Sequence, residues 1–369
     1  MGESTSWVND AIRKELYAPF SVDSDSEYYP NLRYRYKVYY DTCRNAGADD
    51  ESLRIVKKYS EKVLKAIRTY YKGGVSSAHM MLKNLVRGCM DDPLAVCGIN
   101  DNKAFLGTAG SELQLFRART GDPTGFSARE MLHIPFSKRG KIGSYRFSIP
   151  GVPSLYLCNS SYGCWIEMGQ PAEREFNVSP VVLDGTQRLF NLAVMGREER
   201  LLGEGNMERV HTWLKLMILM FATSFRVCEE GRNFKSEYII SQSVMLACAE
   251  LGLDGVVYFS KRVSDEVFAR SAINLALFAK GKMGQEYGDI CRHMKMADSF
   301  NYLFFRQLRG DRMDPDYILR SLGNGAANVI GSYERPFGYE EIDFCRFDKF
   351  LFDEWRKEEV DWGNAVRTK

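Results

Sequence analysis

The order of short apolar runs between residues 106 and 280 constrains the fold of this chain more than any other feature. Several runs have the length and residue types of β-strands, and they lie near residues 112–117, 155–157, 181–183, 188–194, 256–259 and 274–278. Helical segments stand between them, at residues 162–168, 207–225 and 239–251. Because strands and helices mix without a regular βαβ rhythm, the pattern predicts an α+β fold and not a doubly wound sheet.

The regions on either side of this segment have a different character. Half of the 20 tyrosines lie in the first hundred residues, where residues 51–71 carry apolar side chains near helical spacing and end at two glycines. A second helix follows, and the acidic, aromatic tail from residue 336 onward predicts a further helix that covers the core. We therefore predict a small helical domain over residues 1–105, a core domain over 106–280 and a mostly helical C-terminal extension over 281–369.

Charge and motifs bear on possible partners. With 50 Lys and Arg against 48 Asp and Glu the formal charge is only +2, which argues against a dedicated nucleic-acid binder. Residues 33–40 nevertheless interleave basic and aromatic side chains, as a stacking surface for single strands would. The alternative is an element that packs its rings and leaves its charges in solvent. The aromatic tail is compatible with a homodimer.

Cysteine and hydropathy patterns indicate a cytoplasmic protein. The nine cysteines are odd in number and form no C-x-x-C pair, so we expect free buried thiols and not a disulfide framework. No secretory signal is visible in residues 1–17, and the longest apolar run, residues 216–222, is far shorter than a membrane span. The four histidines lie apart from one another and from cysteines at ligand spacing, so we expect no metal.

The segment from residue 115 to 167 holds the most informative side chains. Arg117 ends a strand candidate, and Arg139 and Arg146 follow in later loops; a guanidinium presents a rigid fork of donors that suits phosphate oxygens. Tyr156 stands between two leucines on a strand candidate, so its side chain should face away from theirs. Glu167 ends an apolar run, where a carboxylate is paired, functional or on the solvent side of a helix.

Several separated blocks of this sequence, in the right order, resemble the RES domain family. The run RFSIPGVPSLYL is followed by CWIE, and the family's arginines would be Arg117 in LFRART and Arg146 in YRFS. Its tyrosine would be Tyr156 and its glutamate Glu167. Its late serine would be Ser260, which follows the strand DGVVYF. The resemblance covers residues 106–280, and the flanking regions have no counterpart in the short toxin members of the family.

The resemblance implies an ADP-ribosyltransferase-like fold that binds NAD as its substrate, with residues 106–280 as the catalytic domain. Members cleave the nicotinamide–ribose bond and pass ADP-ribose to water, phosphate or a protein. By this resemblance Arg117 and Arg146 would hold the pyrophosphate, and Tyr156 and Ser260 would contact the nicotinamide ribose. Glu167 would stabilise the charge that develops on the ribose.

Two alternatives stay open at this point. The fold could serve as an NAD or nucleotide sensor without turnover, or the Tyr- and Arg-rich N-terminal region could bind a protein or RNA. Because loss of NAD harms the cell that makes the enzyme, we also expect an inhibitory or activating partner, with residues 1–105 as a candidate regulatory region.

Overall fold

A computed structural model describes most of the chain. The described residues are 7–8, 18–98, 114–194, 206–227, 229, 231–263, 272–282, 284–308, 339, 342–355 and 360–361. The chain divides into two compact units, each drawn from several stretches. The first unit comprises residues 1–104, 138–154 and 187–261, and the second comprises 105–137, 155–186 and 262–369.

Helices and strands alternate irregularly along the described residues. The helices are α1 (Tyr28–Asn45), α2 (Asp50–Tyr71), α3 (Val75–Arg87), α4 (Ala128–Met131), α5 (Ser161–Glu167), α6 (Met207–Thr223), α7 (Ile239–Glu250), α8 (Tyr302–Leu308) and α9 (Asp343–Phe350). The strands are β1 (Val96–Gly98), β2 (Gln114–Thr120), β3 (Ser154–Cys158), β4 (Phe176–Leu183), β5 (Arg188–Asn191), β6 (Gly255–Phe259), β7 (Ile273–Phe278), β8 (Met294–Met296), β9 (Phe300–Asn301) and β10 (Val360–Asp361). The predicted α+β class is confirmed, and a helical N-terminal region precedes the strands of the core.

The first unit packs its helices with a short mixed sheet. The strand order is β1-β5-β6, with β1 and β5 antiparallel and β5 and β6 parallel. Helix α2 begins where Asp49 accepts a hydrogen bond from the backbone N–H of Ser52 at 2.8 Å, which satisfies one of the donors that a helix start leaves open. The helix ends just before Gly73, whose φ of +84° suits glycine.

The interleaved basic and aromatic segment lies within helix α1. Tyr36 and Tyr39 are buried, and the Tyr36 hydroxyl donates to the carbonyl of Ile218 on α6 at 2.9 Å. The Tyr28 hydroxyl donates in the same way to the carbonyl of Ala222 at 2.8 Å. These rings are part of the core of the first unit and are not available for stacking on a nucleic acid, whereas Tyr34 is 60% exposed.

The second unit contains a larger sheet with the strand order β7-β3-β2-β4-β8-β10, and β9 also pairs with β4. Strands β2 and β4 pair antiparallel along the whole of β2, from Gln114 opposite Val182 to Thr120 opposite Phe176. An aromatic cluster packs beside this sheet and joins α5, α8 and α9; its members include Phe116, Phe176, Tyr302, Phe305, Phe347 and Phe352.

Several local predictions can be compared with the structure. The strand predicted at 112–117 is observed as Gln114–Thr120, with residues 112–113 outside the described part, and the strand predicted at 188–194 ends at Asn191. In the predicted helical tail, α9 and the π-helical turn Leu351–Trp355 are described, and most other residues from 336 onward lie outside the described part. The predicted domain boundaries 1–105, 106–280 and 281–369 stay predictions.

Two further findings concern the same expectations. All eight cysteines within the described residues are buried free thiols, and Cys228 lies outside those residues. Of the helices that the structure describes, none combines the length and the apolar character needed to cross a membrane.

Candidate functional site

Arg117 and Tyr156 meet in the second unit, on the neighbouring strands β2 and β3. The Nη1 group of Arg117 donates to the carbonyl of Tyr156 at 2.9 Å. Leu155 and Leu157 are buried while Tyr156 is half-buried, which is the alternation that the sequence predicts for this strand. This bond uses one of the five N–H donors of the guanidinium and fixes Arg117 to the sheet.

Glu167 is the last residue of helix α5 in the same unit. Its side chain is 33% exposed, and its Oε1 accepts a hydrogen bond from Nδ2 of Asn274 at 2.7 Å. The Oε2 atom lies 4.0 Å from Nε of Arg262, whose side chain is 41% exposed. A partly exposed pair at this distance contributes little to stability. The carboxylate is therefore held mainly by an uncharged donor.

The N-terminus of α5 is bound to the C-terminal part of the chain. Ser160 caps the helix by accepting from the N–H of Gly163 at 2.9 Å. The next N–H, of Ser161, donates to Oδ1 of Asp348 on α9 at 3.1 Å, and the hydroxyl of Tyr339 donates to Oδ2 of the same carboxyl. Burial raises the pKa of Asp348 to about 7, against a smaller lowering by these hydrogen bonds. The N-terminus of helix α5, whose last residue is Glu167, is thus hydrogen-bonded to a buried ionisable group.

A buried histidine lies close to Arg117 in the second unit. Nε2 of His133 accepts from the N–H of Gly288 at 2.8 Å, so Nδ1 carries the proton and donates to the carbonyl of Ile134 at 2.8 Å. Burial lowers the pKa of His133, and the Arg117 charge lowers it further. Through these two hydrogen bonds His133 connects the backbone at Ile134 with the backbone at Gly288.

Arg146 and Ser260 belong to the first unit, at the end of β6. Arg146 is only 6% exposed; its Nη1 donates to the carbonyl of Phe259 at 2.8 Å, and its guanidinium lies 4.6 Å from the ring centroid of Tyr258. Ser260 follows directly and is buried. These contacts give Arg146 a structural role at the strand end, and its predicted role with a pyrophosphate stays a prediction.

Arg139, also considered from the sequence, lies in the first unit as well and donates from Nη1 to the carbonyl of Gly151 at 3.1 Å. Of the predicted site residues, Arg117, Tyr156 and Glu167 thus share the second unit, and Arg146 and Ser260 share the first.

Sequence reasoning missed Asn274, Arg262 and Asp348. In the sequence Asn274 is a polar residue at the start of a predicted strand, and Asp348 is one of several acids in the tail. Neither is part of a local sequence pattern that predicts its hydrogen-bond partner. Among the residues that the structure describes, no group of three or more His, Cys, Asp or Glu side chains is arranged to hold a metal ion.

Comparison with known proteins bears on the family. The model of the RES domain family matches residues 114–293, just under half of the chain. This match confirms the family resemblance seen in the sequence.

A protein of Bacillus subtilis (strain 168) named "Putative toxin YopC" is 28% identical over 218 residues, which cover 53% of this chain and 46% of that protein. The chain thus spans less than half the length of this curated relative. No solved structure gives a significant match.

Proposed function

We propose that this protein is an enzyme that cleaves the nicotinamide–ribose bond of NAD and passes ADP-ribose to water, phosphate or a protein. The observation that carries the proposal is the Glu167 carboxylate, which is one-third exposed and held by a short hydrogen bond within a RES domain. The similarity to a protein named as a toxin supports an activity that harms a cell.

The chemistry of this bond explains why a carboxylate is needed. Nicotinamide leaves as a neutral molecule, so the departure needs no acid, and positive charge develops on the ribose as in glycoside cleavage. A carboxylate placed beforehand near that charge stabilises the transition state more than the ground state, which is the requirement for catalysis. Glu167 is suited to this role because its short hydrogen bond comes from the uncharged amide of Asn274. Its ion pair with Arg262 is long, at 4.0 Å, and partly exposed, so it compensates the negative charge only weakly.

The other site residues would bind and orient NAD. Arg117, fixed to β3 through its bond to the Tyr156 carbonyl, would use its other donors on the pyrophosphate. Tyr156 would stack on or hydrogen-bond the nicotinamide ribose, and Arg146 and Ser260 would contribute as the family pattern implies. The sensor alternative does not require a carboxylate at the reacting carbon, and burial of Tyr36 and Tyr39 removes two rings from the alternative of RNA binding. We further propose a cytoplasmic location and control by a protein partner, since unrestrained NAD loss is toxic.

The test is NAD loss by the purified protein and its Glu167→Gln variant, with and without inorganic phosphate, followed by chromatography of the products. The variant keeps the oxygen that accepts from Asn274 and loses only the charge, so we expect a fall in turnover of about 100-fold or more. Glu175→Gln is the matched control, because the Glu175 side chain is 47% exposed and its carboxylate lies 3.7 Å from the exposed guanidinium of Arg174.

The outcomes separate the candidate functions. Phosphate dependence would assign phosphorolysis, and its absence hydrolysis. Equal turnover by the wild type and Glu167→Gln would refute the mechanism. NAD binding by calorimetry without turnover in any condition would favour the sensor.

A further inference from the structure

We propose that Asn274 is a positioning residue for Glu167: its side-chain amide fixes the orientation of the carboxylate. The catalytic role of Asn274 rests on the proposed function, whereas its hydrogen bond to Glu167 can be tested without turnover.

The geometry of the pair carries the proposal. Asn274 lies on β7 and is only 4% exposed, so its amide needs a partner inside the unit. Its Nδ2 lies 2.7 Å from Oε1 of Glu167, and the carboxylate can only accept, so the nitrogen and not the oxygen of the amide must face it. The hydrogen bond therefore restricts the side-chain torsions of Glu167 and anchors one oxygen to the sheet.

Glu167 needs such a donor because of its place in the helix. The carboxylate ends α5, where the negative end of the helix dipole disfavours an acidic side chain. Among the described residues the charged side chain recorded within 4.0 Å is that of Arg262, which is 41% exposed and compensates weakly. The Asn274 amide lowers the cost of the charge and, being neutral, does not cancel it.

The backbone next to Asn274 is itself held in place. The N–H of Ile273 donates to Oδ1 of Asn159 at 3.0 Å, and the N–H of Asn159 donates to the carbonyl of Ile273 at 3.0 Å. This reciprocal pair ties the start of β7 to the residue that follows β3. Asn159 therefore supplies a matched control: it is an asparagine that supports the same strand and has no recorded bond to Glu167.

The experiment compares Asn274→Ala, Asn274→Asp and Asn159→Ala with the wild type by two measurements. Steady-state kinetics of NAD loss over a range of pH give kcat and KM. NMR of protein with ¹³C-labelled glutamate carboxyl groups reports the hydrogen bonding of the Glu167 carboxylate through its chemical shift, with Glu167→Gln to assign the signal. Thermal unfolding monitors the folding of each variant.

Loss of the amide should shift the ¹³C signal of the Glu167 carboxyl group, because the carboxylate loses its short hydrogen bond. In Asn274→Asp a second carboxylate faces the first, so the change in the signal should be larger than in Asn274→Ala. We expect kcat to fall about 10- to 100-fold, with KM changed much less, because orientation and not binding is lost. Asn159→Ala should lower stability and leave the Glu167 carboxyl signal unchanged.

The two proposals fail in different ways. An unchanged Glu167 carboxyl signal and kcat in folded Asn274→Ala would overturn the positioning role and leave NAD cleavage intact. A carboxyl signal that depends on Asn274 in a protein that does not turn over NAD would support the positioning of the carboxylate and refute the proposed function. A signal change of equal size in Asn159→Ala would show a general structural effect and would also overturn the specific role of Asn274.

Discussion

Asp348→Asn is expected to remove the pH dependence that a buried carboxyl imposes on the stability of the second unit. In the native protein Oδ1 accepts from the N–H of Ser161 and Oδ2 from the hydroxyl of Tyr339, and burial raises the pKa to about 7 from an ordinary value of 3.8. Between these two values the native state binds one more proton than the unfolded state. The contribution of Asp348 to stability is therefore fully present below pH 3.8 and is lost as the pH rises through about 7.

The magnitude follows from the two pKa values. A difference of about three units corresponds to about 4 kcal/mol over the whole range, at 1.36 kcal/mol per unit. Between pH 5 and pH 8 the same relation gives about 2–3 kcal/mol. The asparagine variant lacks this titration, and its amide oxygen can still accept from Ser161. Its free energy of unfolding should therefore rise relative to the wild type by about that amount from pH 5 to pH 8.

Urea unfolding of both proteins at pH 5, 6.5 and 8, followed by tryptophan fluorescence, measures this difference. Asp353→Asn is the control, because Asp353 is an exposed acid in the turn that follows α9 and should show no such divergence. Unfolding free energies of the wild type and Asp348→Asn that stay parallel across this range would refute the assignment. Hydrogen exchange of the α5 amides in the same samples would show whether protonation of Asp348 stabilises the helix that carries Glu167.

One substitution in each unit tests its packing, and each is compared with a control substitution. Gly288→Ala would place a Cβ 2.8 Å from a backbone oxygen that cannot move aside, so we expect a loss of about 1–3 kcal/mol or more in urea unfolding; Gly140→Ala, with open space around the new Cβ, should be close to neutral. Tyr28→Phe removes the buried donor to the Ala222 carbonyl and should cost about 1–3 kcal/mol by the same assay, whereas Tyr34→Phe on the exposed side of α1 should cost almost nothing. Equal losses within either pair would contradict the packing argument.

Local patterns were sufficient for much of the secondary structure. Helix α2 was predictable because its apolar residues recur at helical spacing and glycines follow it, and both signals lie within the helix or at its end. The half-exposed position of Tyr156 followed from the two-residue alternation of a strand. The role of residues 33–40 stayed open in the sequence, because basic and aromatic residues fit both a stacking surface and a packed helix. The structure shows the packed helix, because the Tyr36 hydroxyl is hydrogen-bonded to Ile218 on α6, 182 positions away.

The sequence by itself was sufficient to predict the α+β class, the resemblance to the RES domain family and a set of candidate site residues, because each of these depends on residue types within short blocks of sequence. Tertiary structure alone determined which groups form hydrogen bonds with the candidate site residues and with the helix that carries Glu167. Asn274 and Glu167 are 107 positions apart, and Ser161 and Asp348 are 187 apart. A hydrogen bond depends on a distance of about 3 Å in space and has no fixed separation in sequence, so no local pattern specifies it. The environment of the carboxylates, and hence their protonation and orientation, therefore emerges only when the chain has folded.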